Sequence, residues 1–418
     1  MTSISAERAQ LLRQIAQRFG TPVYVYDAER IRQQLAKLRA YDRVRFAQKA
    51  CPNVHVQRVL RAAGAVVDCV SLGELERALA AGFQANSASD AVHSEIVYTA
   101  DLLTESALDR LVETGVPVNA GSEDMLSQIG RRSPGHAVWL RINPGFGHGH
   151  SRKVNTGGES SKHGIWHANV PEALRRVDEF GLDLVGLHMH IGSGTDLEHL
   201  QRVCDAMVQQ VERLGRDIRA VSVGGGLPVP YREGEPELDV AAHFAAWNSA
   251  RKRIEEHLGH RVELELEPGR YLVAEAGVLL AEVRATKDMG SNHFTLVDAG
   301  FNDLVRPAMY GAYHEISVLA RKARVESRPL RPTLVAGPLC ESGDVFTQDE
   351  SGEMALRDLE PCEVGDLLVF HDAGAYGASM ASNYNSRPLP PEVLIDADAI
   401  QLIRRRQTIA DLIGLELA

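Results

Sequence analysis

Eight short apolar runs, at residues 44–47, 65–70, 95–99, 117–119, 137–142, 184–190, 220–223 and 262–267, alternate with helical patterns such as 72–81 and 197–214. Successive parallel strands need a long crossover, and a helix is the usual one. Eight strand and helix units are the signature of a closed (β/α)8 barrel of the TIM type. This architecture constrains function before any motif is read. Chemistry in such barrels sits at the C-terminal ends of the strands and on the loops that follow. The residues ending each run are therefore the candidates.

Beyond residue 274 the rhythm changes. Short runs at 278–284, 293–297, 333–336 and 367–370 are separated by turn-rich loops without regular crossover helices. That pattern reads as a separate C-terminal, mainly β domain. The expected organisation is a barrel over 28–275 and a β domain over 276–418, joined by segment 1–27. A helical pattern at 5–19 ends at Gly20 and leads into an apolar run at 23–26, which is free to join the β domain.

Charge and cysteine usage narrow the function class. The 45 basic and 56 acidic residues give net charge −11, which argues against binding a phosphate backbone. The basic clusters, 321–331 and Arg404-Arg405-Arg406, read as solvated surface. Cys51, Cys69, Cys204, Cys340 and Cys362 form no CxxC pair and leave one odd thiol, which suits a reducing compartment. Glu7 and Arg8 occur with no apolar h-region, so no signal peptide is expected. The apolar stretch 271–283 is broken by Glu275 and Glu282 and is too short to span a bilayer. A soluble, cytoplasmic protein is expected, with no membrane or nucleic-acid partner.

The strand ends are unusually polar. The first run leads into Gln48-Lys49-Ala50 before Cys51-Pro52-Asn53 stops it. A lysine at a buried strand end loses solvation, which lowers its pKa and frees the amine to attack a carbonyl. On this segment alone, a solvated lysine beside a turn is the competing explanation. The eighth run, Glu263-Leu264-Glu265-Leu266-Glu267, places its three glutamates on one face, with the leucines toward the covering helices. A buried carboxylate needs a partner, and Arg141 on the fifth run is expected to pair with Glu265. Glu267, beside Pro268-Gly269-Arg270, is left for function.

Gly224-Gly225-Gly226 follow the seventh run. Without Cβ atoms, their N–H groups can approach a phosphate, and phosphate sites after strands seven and eight recur in this barrel. A tight turn is the other reading. Together with Lys49, the glycines suggest a phosphorylated carbonyl cofactor. The sixth run ends His188-Met189-His190-Ile191-Gly192-Ser193-Gly194. Its two histidines share a face, and His148, His150, His163 and His167 lie nearby in sequence, which allows a metal pair. Barrel metallohydrolases carry their HxH pair on the first strand, however. Stacking of His190 on a flat aromatic cofactor, a core role for His188 and no metal are expected. In the second domain, Cys340 alone reads as a small buried hydrophobe. Arg306 offers a guanidinium suited to a carboxylate, with Tyr310 one short turn on, and Tyr376 sits among small residues.

Six segments in this order, FAQKA (46–50), HIGSG (190–194), GGG (224–226), EPGR (267–270), CESGD (340–344) and GAYG (374–377), resemble the diaminopimelate decarboxylases. These are pyridoxal-phosphate (PLP) enzymes of the alanine-racemase and ornithine-decarboxylase class, and the resemblance covers nearly the whole chain. It implies that Lys49 holds PLP as an internal aldimine and that His190, also a catalytic candidate, stacks on the pyridine ring. Ser193 with Gly224, Gly225 and Gly226 would cradle the phosphate. Glu267 would keep the ring nitrogen protonated and the ring effective as an electron sink, with Pro268, Gly269 and Arg270 beside it. Arg270, Arg306, Tyr310 and Glu341 would bind substrate, Tyr376 would touch substrate and cofactor, and Cys340 would donate the proton. The resemblance also implies a homodimer with active sites at the interface, the Cys340-Glu341 segment reaching in from the other chain. Many relatives read Lys-Ala-Asn where this chain has Lys49-Ala50-Cys51-Pro52-Asn53, so a local turn difference is expected.

Charge then selects the substrate. Meso-2,6-diaminopimelate carries a carboxylate and an ammonium at its far end, whereas ornithine carries only the ammonium. Arg270 and Arg306 suit the carboxylate and Glu341 the ammonium, so the expected products are L-lysine and CO2, the last step of lysine biosynthesis. The competing readings are a decarboxylase of ornithine, arginine or carboxynorspermidine, a non-catalytic PLP-binding paralogue, and a barrel metallohydrolase. The stretch 155–160 is either a lid or a surface loop.

Overall fold

The computed structural model describes residues 4–85, 91–147, 156–192, 197–321 and 329–417. They fall into two compact units. One comprises 32–228 and 237–272; the other comprises Met1–Ile31, Val229–Pro236 and Val273–Ala418.

The first unit is the barrel. After β1 (Val23–Asp27), which belongs to the other unit, come β2 (Arg43–Ala47), β3 (Val66–Cys69), β4 (Ile96–Ala100), β5 (Val118–Ala120) and β6 (Ala137–Asn143). The two-residue β7 (Ile165–Trp166) pairs with the end of β6 outside the ring. β8 (Asp183–His188), β9 (Ala220–Ser222) and β10 (Glu263–Leu266) complete it. All neighbours are parallel, and β10 pairs with β2 to close eight strands into a ring. Each of the eight expected runs is one of these strands. Helices between them start where a side chain can take an orphan N–H: Asn53, Ser71, Thr104, Ser122 and Asp239 each accept from the first turn. Left-handed Gly82, Gly115 and Gly259 end three of them.

Glu265 is buried inside this ring, but its partner is not Arg141. Arg45 on β2 grips it with Nε and Nη2, each 3.0 Å from a carboxylate oxygen, and both side chains are 1% exposed. Arg45 Nη1 also donates to the carbonyl of Ser94, 3.2 Å away. Ring closure explains the choice: β10 lies against β2, with Glu265 opposite Arg43, whereas β6 is not its neighbour.

The second unit is a nine-stranded mixed sheet. Its strands are β1, β11 (Gly277–Met289), β12 (Asn292–Val297), β13 (Ile316–Leu319), β14 (Arg331–Ala336), β15 (Arg357–Leu359), β16 (Leu367–Phe370), β17 (Glu392–Asp396) and β18 (Ala399–Arg404). β1 sits inside it, antiparallel to β11 and parallel to β17. The helix Ala6–Phe19 lays Ala9, Leu12 and Ile15 on Val23, Val25, Leu280 and Val393. Full burial of such a side chain contributes roughly 1.5–3 kcal/mol. The basic run at 404–406 is tied down: Arg404 pairs with Glu392, Arg405 with Asp411, and Arg406 donates to the carbonyl of Pro22. Among the described residues, no helix is long and apolar enough to cross a membrane.

Candidate active site

The strand ladders bring His188, Ser222 and Glu267 together. β8, β9 and β10 are neighbours, with His188 opposite Ser222 and Ser222 opposite Glu265. Glu267 lies one residue past β10, and its N–H donates to the Gly224 carbonyl at 2.8 Å. The Ser222 hydroxyl donates to Glu267 Oε1 at 2.7 Å, and His188 Nε2 lies 2.9 Å from Oε2. Burial opposes charge on Glu267. The His188 and Ser222 bonds and the Arg45 charge overcome it and hold the carboxyl well below the usual carboxylate range. Glu267 is thus a buried anion at neutral pH. His188, read from sequence as a satisfied core residue, is instead its positioning partner.

The turn after β9 needs glycine for reasons of space. A Cβ on Gly225 would lie 2.2 Å from the Glu267 carbonyl oxygen, and one on Gly224, at φ +67°, would lie 2.6 Å from His190 Cβ. His190 is half-buried. Burial first, then the charges of Lys49 and Arg141, hold its pKa well below the ordinary value, so its ring is neutral. The Ala47 N–H donates to the Pro268 carbonyl at 3.1 Å, which ties the exit of β2 to the turn Glu267-Pro268-Gly269-Arg270.

Lys49 departs from the expected burial. The strand stops at Ala47, and a 3-10 turn, Gln48–Ala50, buries its flanking residues while leaving the Lys49 side chain exposed. Asp68 on β3 was overlooked, although an acid inside Val66-Val67-Asp68-Cys69 is a visible signal. It is 2% exposed, and burial, aided by nearby Glu267, pushes its carboxyl up to about 7.

Arg141 lies 3.9 Å from Asp101, which also pairs with His163. Asn143, at the end of β6, fills both acceptor and both donor positions of its amide. It accepts from the N–H groups of Gly145 and Gly158 and donates to the carbonyls of Gly158 and His163, at 2.9–3.2 Å. Ser193, His148 and His150 lie outside the described residues, as does the start of the stretch 155–160.

The β unit carries the other candidates. Arg306, 6% exposed, opens the five-residue helix Arg306–Tyr310; Tyr310 is half-buried. Half-buried Tyr376 sits in left-handed backbone, φ 57°. Cys340 is exposed, not buried. Its N–H and S–H both donate to Asn385 Oδ1, at 3.1 and 3.2 Å. Exposed Glu341 accepts from the Tyr384 hydroxyl. The consecutive residues Tyr384 and Asn385 therefore hold Cys340 and Glu341, a pairing that no local sequence pattern announces.

Comparison with known proteins gives this geometry its context. Residues 27–274 match the family of pyridoxal-dependent decarboxylases, pyridoxal binding domain. The diaminopimelate decarboxylase of Escherichia coli is 59% identical over 417 residues, 100% of this chain and 98% of that one. The chain belongs to the diaminopimelate decarboxylase family. A crystal structure of a diaminopimelate decarboxylase aligns with TM-score 0.95 at 57% identity, covering 100% of this chain and 98% of that one. The family's enzyme from M. jannaschii, solved in co-complex with L-lysine, aligns with TM-score 0.86 at 32% identity, covering 97% and 94%.

The barrel residues fit the family's cofactor. Glu267, held as an anion, suits a protonated ring nitrogen, and neutral His190 offers a flat face without charge. The turn at Gly224, where a side chain would collide with His190, is bare backbone of the kind a phosphate approaches.

Proposed function

We propose that this chain decarboxylates meso-2,6-diaminopimelate to L-lysine and CO2 with PLP, the last step of lysine biosynthesis. The observation that carries the reading is Glu267, a buried carboxylate kept ionised by His188 and Ser222 at the end of a barrel strand. PLP, when bound, supplies the electron sink for the pair left behind as CO2 departs.

Each residue then has a task. Lys49 would hold the cofactor covalently, His190 would face its ring, and Glu267 would keep a proton on its nitrogen. Ser193, Gly224, Gly225 and Gly226 take its phosphate, flanked by Pro268, Gly269 and Arg270. Arg270 and Arg306 bind the far carboxylate of the substrate, Glu341 binds its ammonium, and Tyr310 and Tyr376 line the chain between. Each charge-assisted contact is worth about 1.5–3 kcal/mol of recognition. Cys340 Sγ returns a proton to Cα, with its S–H aimed by Asn385. The working form is a cytoplasmic homodimer in which the Cys340-Glu341 segment of one copy serves the other.

The test is CO2 release by purified protein with PLP from four substrates: meso-diaminopimelate, ornithine, arginine and carboxynorspermidine. Turnover of the first alone is expected. Preference for a substrate lacking the far carboxylate would overturn the charge argument. Borohydride reduction followed by peptide mapping should place the adduct on Lys49; an adduct elsewhere would remove that assignment.

A further inference from the structure

The loop that carries Cys340 and Glu341 is fastened at both ends by the β unit. Its far end closes on Asp344, 3% exposed, whose two carboxylate oxygens accept the N–H groups of Phe301 and Leu339 at 2.8 and 2.7 Å. The Gly337 N–H donates to the Asp344 carbonyl at 2.9 Å, and a Cβ on Gly337 would lie 2.3 Å from Asp344 Oδ2.

The near end meets Tyr384 and Asn385, and the two have different contacts. Asn385 Oδ1 accepts the Cys340 N–H at 3.1 Å. A backbone N–H can only donate, so the amide atom there is the oxygen. The Cys340 sulfur, 3.2 Å from the same oxygen, must then turn its hydrogen toward it. Tyr384 donates its hydroxyl to Glu341 Oε1, and its ring stacks on Phe301 at 5.5 Å and 26°. The pair is itself anchored. Asn383 donates to the Arg387 carbonyl and the Gln407 side chain, and Arg387 donates to the Asp298 carbonyl, at 2.6–2.9 Å. Asn385 and Ser386 both take left-handed backbone, φ 52° and 55°. Outside glycine, such backbone persists where its surroundings impose it, and it clusters at functional sites.

Cys340 and Glu341 are consecutive, and so are the residues that hold them. A substrate must set its Cα at the Cys340 sulfur and its far ammonium at the Glu341 carboxylate at the same time. With both side chains fixed, one length of carbon chain satisfies both best. We propose that Tyr384 and Asn385 are positioning residues that keep the proton donor and the ammonium anchor at a set spacing, and so measure the length of the substrate. The proposal rests on the roles given above to Cys340 and Glu341.

Kinetics and ligand binding with the holoenzyme test this. Tyr384→Phe keeps the ring on Phe301 and removes the hydroxyl. It should raise KM for diaminopimelate about 5-fold or more, with kcat within about 2-fold. It should also narrow the preference for diaminopimelate over the diamino diacids one methylene shorter and one longer. L-Lysine, which keeps the far ammonium, should bind about 5-fold more weakly, while 6-aminohexanoate, which lacks it, stays within about 2-fold. Asn385→Gly suits left-handed backbone and removes the oxygen. It should lower kcat about 10-fold, part of the roughly 100- to 10,000-fold that a placed acid contributes. KM and L-lysine binding should stay within about 2-fold, and the solvent deuterium isotope effect on kcat should grow as proton return slows. Joint loss of kcat and affinity in both variants would show a brace without separate duties and overturn the proposal. So would an unchanged preference among the three diacids in Tyr384→Phe. Cys340→Ala and Glu341→Gln separate the two readings. Natural kcat in the first, or natural KM in the second, would defeat the assignments themselves. Losses there, with neither Tyr384→Phe nor Asn385→Gly affected, would defeat only the roles given to Tyr384 and Asn385.

Discussion

The pair Arg45 and Glu265 allows a sharp test of how the barrel is held. Arg45→Met leaves Glu265 1% exposed, with Arg43 at 3.8 Å as its remaining cation among the described residues. Removing one partner of a buried ion pair costs about 3–5 kcal/mol, because the survivor keeps an uncompensated charge. Glu265→Met should cost the same for the mirror reason. Replacing both with methionine removes both charges, and such exchanges are often neutral. What remain are the carbonyls of Ser94 and Val67, which lose the Arg45 donor at 3.2 and 3.4 Å; the shorter bond to Ser94 contributes a penalty of about 1–3 kcal/mol. The double variant should therefore be more stable than either single one, with a coupling energy of several kcal/mol. The assay is unusually clean. All three tryptophans, Trp139, Trp166 and Trp247, lie in the barrel unit, so their fluorescence follows that unit in urea. At a slope of about 2–3 kcal/mol/M, each single variant should move the midpoint down by about 1–2.5 M. Single variants costing under about 1 kcal/mol, or a double variant matching the sum of both, would refute the reasoning.

Three further outcomes are expected. Gly225→Ala drives a methyl to within 2.2 Å of the Glu267 carbonyl, so PLP retention, read from visible absorbance, should fall by about 10-fold or more. Ser222→Ala removes one of the two bonds holding Glu267, a loss of about 1.5–3 kcal/mol from a charged acceptor. kcat/KM should drop by about 10-fold, and the barrel's urea midpoint should fall by roughly 0.5–1.5 M. Buried His243, bonded to Tyr41, has its pKa pushed down by burial from 6.5 to about 4. The unfolded chain therefore binds the proton first as pH falls, and stability is lost below about 6.5. The barrel should be about 2 kcal/mol weaker at pH 5 than at pH 7 on this account, and His243→Gln should flatten that dependence in urea melts.

The eight barrel strands were legible because each is a short apolar run between turn signals, and Glu267 stood out as the carboxylate at a strand end. The contacts that hold Glu267 as an anion were not legible. Ser222 and His188 reach it only through the register of three strands, which no local pattern encodes. Pairing Glu265 with Arg141 failed for a similar reason: ring closure sets β10 beside β2, and that neighbourhood spans some two hundred residues of chain. Lys49 was singled out as lying at a buried strand end, yet its exposure depends on the 3-10 turn Gln48–Ala50 that follows the strand, which the apolar run does not announce. In the β unit, β13, β15, β17 and β18 were missed. β15 and β18 carry exposed, polar residues such as Asp358 and Gln401, which packing defines more than alternation does, whereas β17 holds a buried apolar run, Val393-Leu394-Ile395, that was visible in the sequence.

The position of β1 has a consequence for synthesis. Its backbone is zipped on one side to Gly277–Leu280 and on the other to Glu392–Ile395. As the ribosome emits the chain, every strand of the barrel is available once residue 266 has emerged. The opening segment must wait for partners made hundreds of residues later, with the apolar face of its helix uncovered meanwhile. Late pairing of this kind is slow and prone to association. Deleting the stretch from 392 onward should therefore harm the very first strand while sparing the ring made in between.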